Sequence, residues 1–299
     1  MAAAAHTGNQ RPVDSVALAH IVARLRAASE VPWLHEEVAR RMAQRLPYIR
    51  MQPRRIVNWG AGLGASTHLL RQAYPKSALS LIDADTTSAR ATRARPWWPP
   101  QRWWQRDEVR SPDAVTPASA ELLWCNMGLH FEADIESLLQ RWRRCLMVDG
   151  FLMFSTLGPG CFGALRRLYR ELQWPPPMAP LVDMHDLGDM LVQAGFAAPV
   201  MDQEIITLSW TSAADMLSEL RSFGGNAALL RHAGLRTPRW REQLVAALEA
   251  QRDAEGRLTL DVEIVYGHAF CPAPRVPVSA QTSVSLAQMR TLVRGGPRQ

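Results

Sequence analysis

Three glycines on alternate residues, Gly60, Gly62 and Gly64, sit between an apolar run and a helix-like run in RIVNWGAGLGASTHLL. No other stretch constrains this chain as much. Arg54 to Asn58 carries the β-branched residues of a short strand, and Thr67 to Ala73 carries the pattern of a helix. A strand that turns into a helix through glycines leaves backbone N–H groups exposed. With no Cβ in the way, a ligand can lie against the main chain. The expectation is an anion or nucleotide site, and the alternative is a tight strand-to-helix turn with no ligand.

The rest of the chain repeats the alternation. Ala78 to Ile82 reads as a second strand ending at Asp83, and Ala120 to Cys125 as a third. Ile135 to Leu146 is an amphipathic helix with Gly150 as a stop beyond it, and Phe151 to Leu157 is an apolar strand before the turn Gly158-Pro159-Gly160. Strand and helix alternating from residue 54 to 157 predicts an α/β fold: a Rossmann-like, mostly parallel sheet with helices on both faces and ligand at the carboxyl ends of its strands. Residues 14–49 read as two helices. A helix over Asp183 to Ala194 is closed by Gly195. Val200 to Trp210 and Arg257 to Phe270 are long strands suited to antiparallel pairing, with helical segments over Ser212 to Phe223 and Arg239 to Gln251 between them. This gives one domain over 14–270, with a helical insertion at 212–252 and flanking segments 1–13 and 271–299 expected to lack structure.

Composition sets outer limits. The 299 residues are 47% hydrophobic and 21% charged, enough for one large globular domain. No apolar run reaches the ~18 residues of a membrane span, and residues 1–13 lack the apolar stretch of a signal peptide. Cys125, Cys145, Cys161 and Cys271 form no Cys-x-x-Cys pair, which argues against a zinc site or a disulfide framework and fits a cytoplasmic protein. A net charge of +6 and a pI of 9.7 favour an acidic partner, or reflect a general arginine bias. The stretch PWWPPQRWW reads either as an adenine wall or contact surface, or as ordinary packing of a proline-broken segment.

Three ligand classes compete for the glycine turn. A P-loop needs Gly-Lys-Ser/Thr, which is absent. A dinucleotide fingerprint needs G-x-G-x-x-G, whereas this turn is G-x-G-x-G followed by Ala65. The third class is S-adenosyl-L-methionine. Asp83, with Ala84 beside it, lies about 20 residues past the loop, where a carboxylate accepts hydrogen bonds from ribose hydroxyls.

The motifs RIVNWGAGLG, LIDAD, ELLWCNMGLHF, WRRCLMVDGFLMFSTLGPG, VDMHDLGDMLVQAGF and GRLTLDVEIVYGHAF resemble those of class I S-adenosylmethionine-dependent methyltransferases. Within that superfamily the chain resembles the malonyl-acyl-carrier-protein O-methyltransferases of biotin synthesis, from about residue 34 to 270. The resemblance implies that Gly60, Ala61, Gly62 and Gly64 bind the methionine portion, that Asp83 and Ala84 bind the ribose, that Asp107 lies near the adenine amino group, and that Asn126 faces the methyl group. Asn58 stands where the family usually has an acidic residue, so the amide keeps the hydrogen-bonding shape without the charge. The tyrosine common in the family's N-terminal helix has no clear counterpart; Trp33 and His35 are the nearest candidates.

A carboxylate acceptor is already ionised at neutral pH, so its methylation needs alignment and exclusion of water but no general base. Donors that would hold it lie at the carboxyl edge of the sheet: His130 and Ser155, with Thr156 beside them. His185 and the arginines Arg166 and Arg167 are further candidates, against the readings of a residue beside the helix cap Asp183 and of a solvated helix face, which the pattern favours. The resemblance implies an acidic acyl-carrier protein or a coenzyme A thioester as partner. Arg221, Arg231, Arg236, Arg239 and Arg241 make the insertion basic enough to steer it. Nucleic-acid amino-methylation is disfavoured, since the third strand ends Cys125-Asn126-Met127-Gly128 rather than in Asp/Asn-Pro-Pro-Tyr. Two other readings stay open: a methyltransferase for another small molecule, and a catalytically weak binding protein of the same fold, which Asn58 allows.

Overall fold

The computed structural model describes residues 11–86 and 108–273. Seven strands form one sheet: β1 (Arg55–Trp59), β2 (Ala78–Ile82), β3 (Glu108–Arg110), β4 (Ala120–Cys125), β5 (Leu146–Leu157), β6 (Ala197–Trp210) and β7 (Leu258–Phe270). Their spatial order is β3-β2-β1-β4-β5-β7-β6. Neighbours pair in parallel from β3 to β5, and β7 runs antiparallel to both β5 and β6.

Alternation along the central strands sorts side chains onto two faces. Ile56, Leu122, Trp124, Phe151 and Met153 point to one face. There they meet α2 (Trp33–Ala43), α4 (Thr67–Ala73), α6 (Gly163–Glu171), α8 (Ala213–Ser222) and α9 (Pro238–Glu249) through Val38, Leu70, Leu165, Met216 and Leu244. Val57, Leu123, Cys125, Leu152 and Phe154 point to the other face, packed on α5 (Ile135–Cys145) and α7 (Met184–Gln193). Strands buried on both faces explain the near-continuous apolar runs of the sequence. A third cluster joins Leu18, Ile21 and Leu25 of α1 (Ser15–Ala27) to Leu63 and Ala227. It sets α1 across the carboxyl edge of the sheet, where β1 has β2 on one side and β4 on the other. Chain order reverses at that point, leaving the crevice in which open α/β sheets bind ligands.

Two expectations change. Gly150 is not beyond a helix stop but inside β5, which begins at Leu146 directly after α5. A Cβ there would meet the carbonyl oxygens of Met147, Glu121 and Ala120 at 3.0, 3.1 and 3.2 Å, where the β4–β5 register shifts, so the glycine serves close strand approach. At the N-terminus, ordered contacts begin before residue 14. The Arg11 N–H bonds the Ala133 carbonyl at 3.3 Å, and Val13 forms a β-bridge with Ala228. The tryptophan stretch 96–104 and Asp107 lie outside the described residues. Among the described residues no helix is long and apolar enough to cross a membrane, and no group of three or more His, Cys, Asp or Glu is placed to hold a metal ion.

Candidate functional site

The glycine turn is built by hydrogen bonds that reach across the crevice. Gly60 has φ +69°, a left-handed conformation that suits glycine, and its N–H bonds the Ile82 carbonyl at 2.8 Å. Ala61–Gly64 then makes one helical turn (α3), whose Gly62 N–H donates to Asp83 Oδ2 at 2.8 Å. Asp83 is thereby fixed at the carboxyl end of β2, with Ala84 exposed beside it.

A residue that sequence reasoning did not single out stands over Asp83. Arg26, in the last turn of α1, places Nε 2.8 Å from Asp83 Oδ1, and the two side chains are 17% and 0% exposed. The Nε–H is not aligned as a hydrogen bond, so the contact is an ion pair. The Asp85 N–H also reaches Oδ1, at 3.2 Å. A ribose hydroxyl donating to Asp83 would have to compete with Arg26 for this carboxylate. Arg26→Ala is expected to bind S-adenosyl-L-methionine several-fold more tightly by calorimetry. Equal or weaker binding would mean that the guanidinium and the ribose share Asp83.

Asn58, fully buried at the end of β1, donates its Nδ2 to Thr67 Oγ1 at 3.1 Å. Its Oδ1 is buried with no partner. An unpaired buried acceptor is costly, and an ammonium group at the turn would satisfy it. This orphaned oxygen, the left-handed Gly60 and the Asp83 carboxylate fit the amino end and the ribose of S-adenosyl-L-methionine. Asn126 is engaged by groups of the protein itself. Its Nδ2 donates to the carbonyls of Gly64 and His35, both at 2.8 Å, and its Oδ1 accepts from Ser155 Oγ at 2.7 Å. Ser155 Oγ in turn accepts the Met127 N–H at 3.0 Å. The one hydroxyl hydrogen of Ser155 is thus spent on Asn126, and the two side chains together clamp the loop.

His35 belongs to the same clamp. Its Nδ1 lies 2.7 Å from the Leu63 carbonyl, which makes Nδ1 the protonated nitrogen, and burial lowers its pKa to about 4. His130 follows β4 in the turn Leu129–Phe131, 8% exposed. Burial first, then His35 and Arg11, hold it well below the ordinary histidine range, so it is neutral at pH 7. Thr156 Oγ1 is 3.5 Å from its Nδ1. Burial pushes the thiols of Cys125 and Cys161 up to about 12, and that of Cys145 to about 11, so none of these three supplies a thiolate nucleophile.

From His130 a cavity of about 1120 Å³ opens under the insertion. Leu165, Tyr169, Trp240 and Leu244 give it apolar and aromatic walls, and Arg11, Arg24, Arg221, Arg236 and Arg241 line it with no Asp or Glu among the lining residues. Of the insertion's arginines, Arg231 is committed to Asp14 at 2.7 Å, and Arg236 lies over the Trp240 ring at 4.2 Å. His185 is on the surface, its side chain 79% exposed and paired with the helix cap Asp183 at 2.8 Å, away from the cavity lining. Arg166 bonds the Pro159 carbonyl. Trp33 is 43% exposed and bonds Glu219.

Comparison with known proteins gives both fold and family. The chain superposes on the YcgJ protein of Bacillus subtilis with a TM-score of 0.51 at 10% identity, covering 78% of this chain and 98% of that one. It superposes equally on a Bacillus halodurans protein, TM-score 0.51 at 13% identity, covering 77% and 99%. At those identities the likeness shows the fold alone. No family model matches the chain. In sequence it is 35% identical over 252 residues to the malonyl-[acyl-carrier protein] O-methyltransferase of Laribacter hongkongensis, 81% of this chain and 84% of that protein. It is 34% identical over 257 residues to the protein of that name from Gallionella capsiferriformans, with 86% of the latter covered. At 34% identity over 81% of its length, the chain belongs to the malonyl-[acyl-carrier protein] O-methyltransferase family.

Proposed function

We propose that this protein transfers the methyl group of S-adenosyl-L-methionine to the free carboxylate of a malonyl thioester carried on an acyl-carrier protein. The observation that carries this reading is the cavity under the insertion: apolar walls, five arginines and no lining carboxylate, with His130 in its lining and His35, whose Nδ1 meets the Leu63 carbonyl of the glycine turn, 6.3 Å from His130 between ring centroids. Such a space suits an anionic acyl arm and disfavours a cationic acceptor.

The bound cofactor supplies an electrophilic methyl group on a sulfonium. A carboxylate acceptor is already ionised at neutral pH and would have no proton to lose on methylation. A neutral His130 and protonated buried cysteines are compatible with a transfer that needs no base. What the chain contributes is placement: Asn58, Gly60, Gly62 and Asp83 hold the cofactor, the Asn126–Ser155–His35 clamp fixes the loop, and the cavity orients the acceptor and excludes water. Arg221, Arg239 and Arg241, exposed on α8 and α9, face an incoming acidic carrier protein and would speed its encounter at low salt.

Mass spectrometry of malonyl-acyl-carrier protein incubated with the enzyme and S-adenosyl-L-methionine tests the reading. One added methyl, removed by ester hydrolysis, is expected; unmodified malonyl-acyl-carrier protein would overturn it. A second expectation concerns Asn58. Asn58→Asp puts a carboxylate where Oδ1 lacks a partner, and a charged acceptor for an ammonium is worth about 1 kcal/mol more than a neutral one. S-adenosyl-L-methionine should then bind about fivefold more tightly, as calorimetry would show. Unchanged affinity would place the cofactor's ammonium elsewhere.

A further inference from the structure

We infer that Arg11, in the segment that precedes α1, is the residue that receives the carboxylate to be methylated. The inference rests on the malonyl-thioester reading above and names the group that selects a malonyl over a simple acyl thioester.

Arg11 lines the cavity next to His130. Its Nη1 donates to the carbonyls of His130 and Glu132 at 2.8 and 3.0 Å, and its Nη2 to the Pro180 carbonyl at 2.8 Å. These bonds tie the guanidinium to the turn that follows β4 and to the chain leading to α7. They use three of the five N–H donors of an arginine. Nε–H is buried without a partner, and one Nη2 hydrogen is left.

Its charge is also uncompensated. No carboxylate lies within ion-pair distance of Arg11 among the described residues, and none lines the cavity. Glu132 acts on it only at a distance, and burial lowers its pKa from the usual arginine value. A guanidinium held by neutral carbonyls, with a free donor and no counter-ion, is a site for an anion. The other cavity arginines are worse placed. Arg24 bonds the Gly224 carbonyl, Arg236 lies on Trp240, and Arg221 and Arg241 are exposed on the insertion.

The chemistry gives this placement a consequence. While the acceptor is a carboxylate, Arg11 holds one oxygen and leaves the other for the methyl group. Once the ester forms, the anion is gone, and Arg11 loses the partner that retained it. Tight substrate and weak product binding then come from one residue.

The test compares two thioesters that differ only in the carboxylate, malonyl-CoA and acetyl-CoA, bound to wild type, Arg11→Gln and Arg11→Lys. Wild type should prefer malonyl-CoA by calorimetry. Arg11→Gln should weaken malonyl-CoA at least tenfold and leave acetyl-CoA and S-adenosyl-L-methionine within twofold. In turnover the loss should appear mainly in KM. Arg11→Lys keeps the charge with fewer donors and should retain part of the preference. Equal weakening of both thioesters, in variants whose circular dichroism matches wild type, would make Arg11 a structural tie and overturn the inference. So would a malonyl preference that survives in Arg11→Gln. Absence of methylated product with wild type would defeat the proposed function, while the binding comparison would still decide the role of Arg11.

Discussion

Asn126→Ala should lose about 3–5 kcal/mol of folding stability and most of its affinity for S-adenosyl-L-methionine. The side chain is fully buried and makes three hydrogen bonds of 2.7–2.8 Å, to the Gly64 and His35 carbonyls and from Ser155. Truncation leaves the His35 carbonyl and the Ser155 hydroxyl without this partner, at about 1–3 kcal/mol for each buried group that stays unsatisfied, while the Gly64 carbonyl keeps the Ser66 hydroxyl at 2.6 Å. The loss also reaches the site. Gly64 ends the turn that begins at Gly60, and a Cβ at Gly64 would meet the Asn126 carbonyl at 3.2 Å, so loop and β4 end lie nearly in contact. Ser155→Ala breaks the bond to Asn126 Oδ1 and the one accepted from the Met127 N–H, which keeps the Ser155 carbonyl at 3.1 Å, and should cost about 1–2 kcal/mol. Chemical unfolding of both variants decides. An Asn126→Ala no more destabilised than Ser155→Ala would show that the amide is not the centre of the clamp.

The contrast between Asn126 and Asp83 shows what a sequence can reveal here. Gly60, Gly62, Gly64 and Asp83 were legible because strand, turn, helix and next strand follow one another within about 30 residues and obey local geometry. The same holds for α5 and for the antiparallel β6–β7 pair, whose patterns are periodic over their whole length. The partners of those residues were not legible. Arg26 meets Asp83, His35 meets Leu63, Asn126 reaches His35, and Arg11 meets His130, across separations up to 119 residues. No spacing rule links such pairs; only the position of α1 and α2 over the sheet edge does. Gly150 shows the converse error. After an amphipathic helix it looks like a stop, yet its function depends on carbonyls of β4 that lie far back in the chain. The residues around Asn126 carried a family signature, but the same type at the same place serves a clamp as readily as a ligand contact.

Acidification from pH 6.5 to 4 should remove about 3 kcal/mol of stability through His35 alone. Its pKa is lowered from the ordinary 6.5 to about 4 in the folded state, by burial first and against the Leu63 hydrogen bond. The unfolded chain takes up this proton near pH 6.5, and the folded chain only near pH 4. Between those values the unfolded state binds more protons, so stability rises with pH. The contribution is complete above about 6.5 and is lost progressively down to about 4, at ~1.4 kcal/mol per pH unit. His130, shifted the same way, adds to the slope, whereas Glu132, whose carboxyl burial raises, opposes it. Glu37, held at about 2 in the folded chain by Arg40 and Arg41, takes up its proton near 4.5 when unfolded and so adds to the loss at the acid end of the window. His35→Gln removes the titration and keeps an amide N–H that can reach the Leu63 carbonyl. Urea unfolding at pH 7 and pH 4 should therefore show a smaller acid loss for the variant than for wild type, by about 3 kcal/mol. The other groups titrate in both proteins and cancel in that difference. Parallel acid losses in the two proteins would show that His35 takes up its proton without unfolding the turn. The loop would then be held by Asn126 and not by the imidazole.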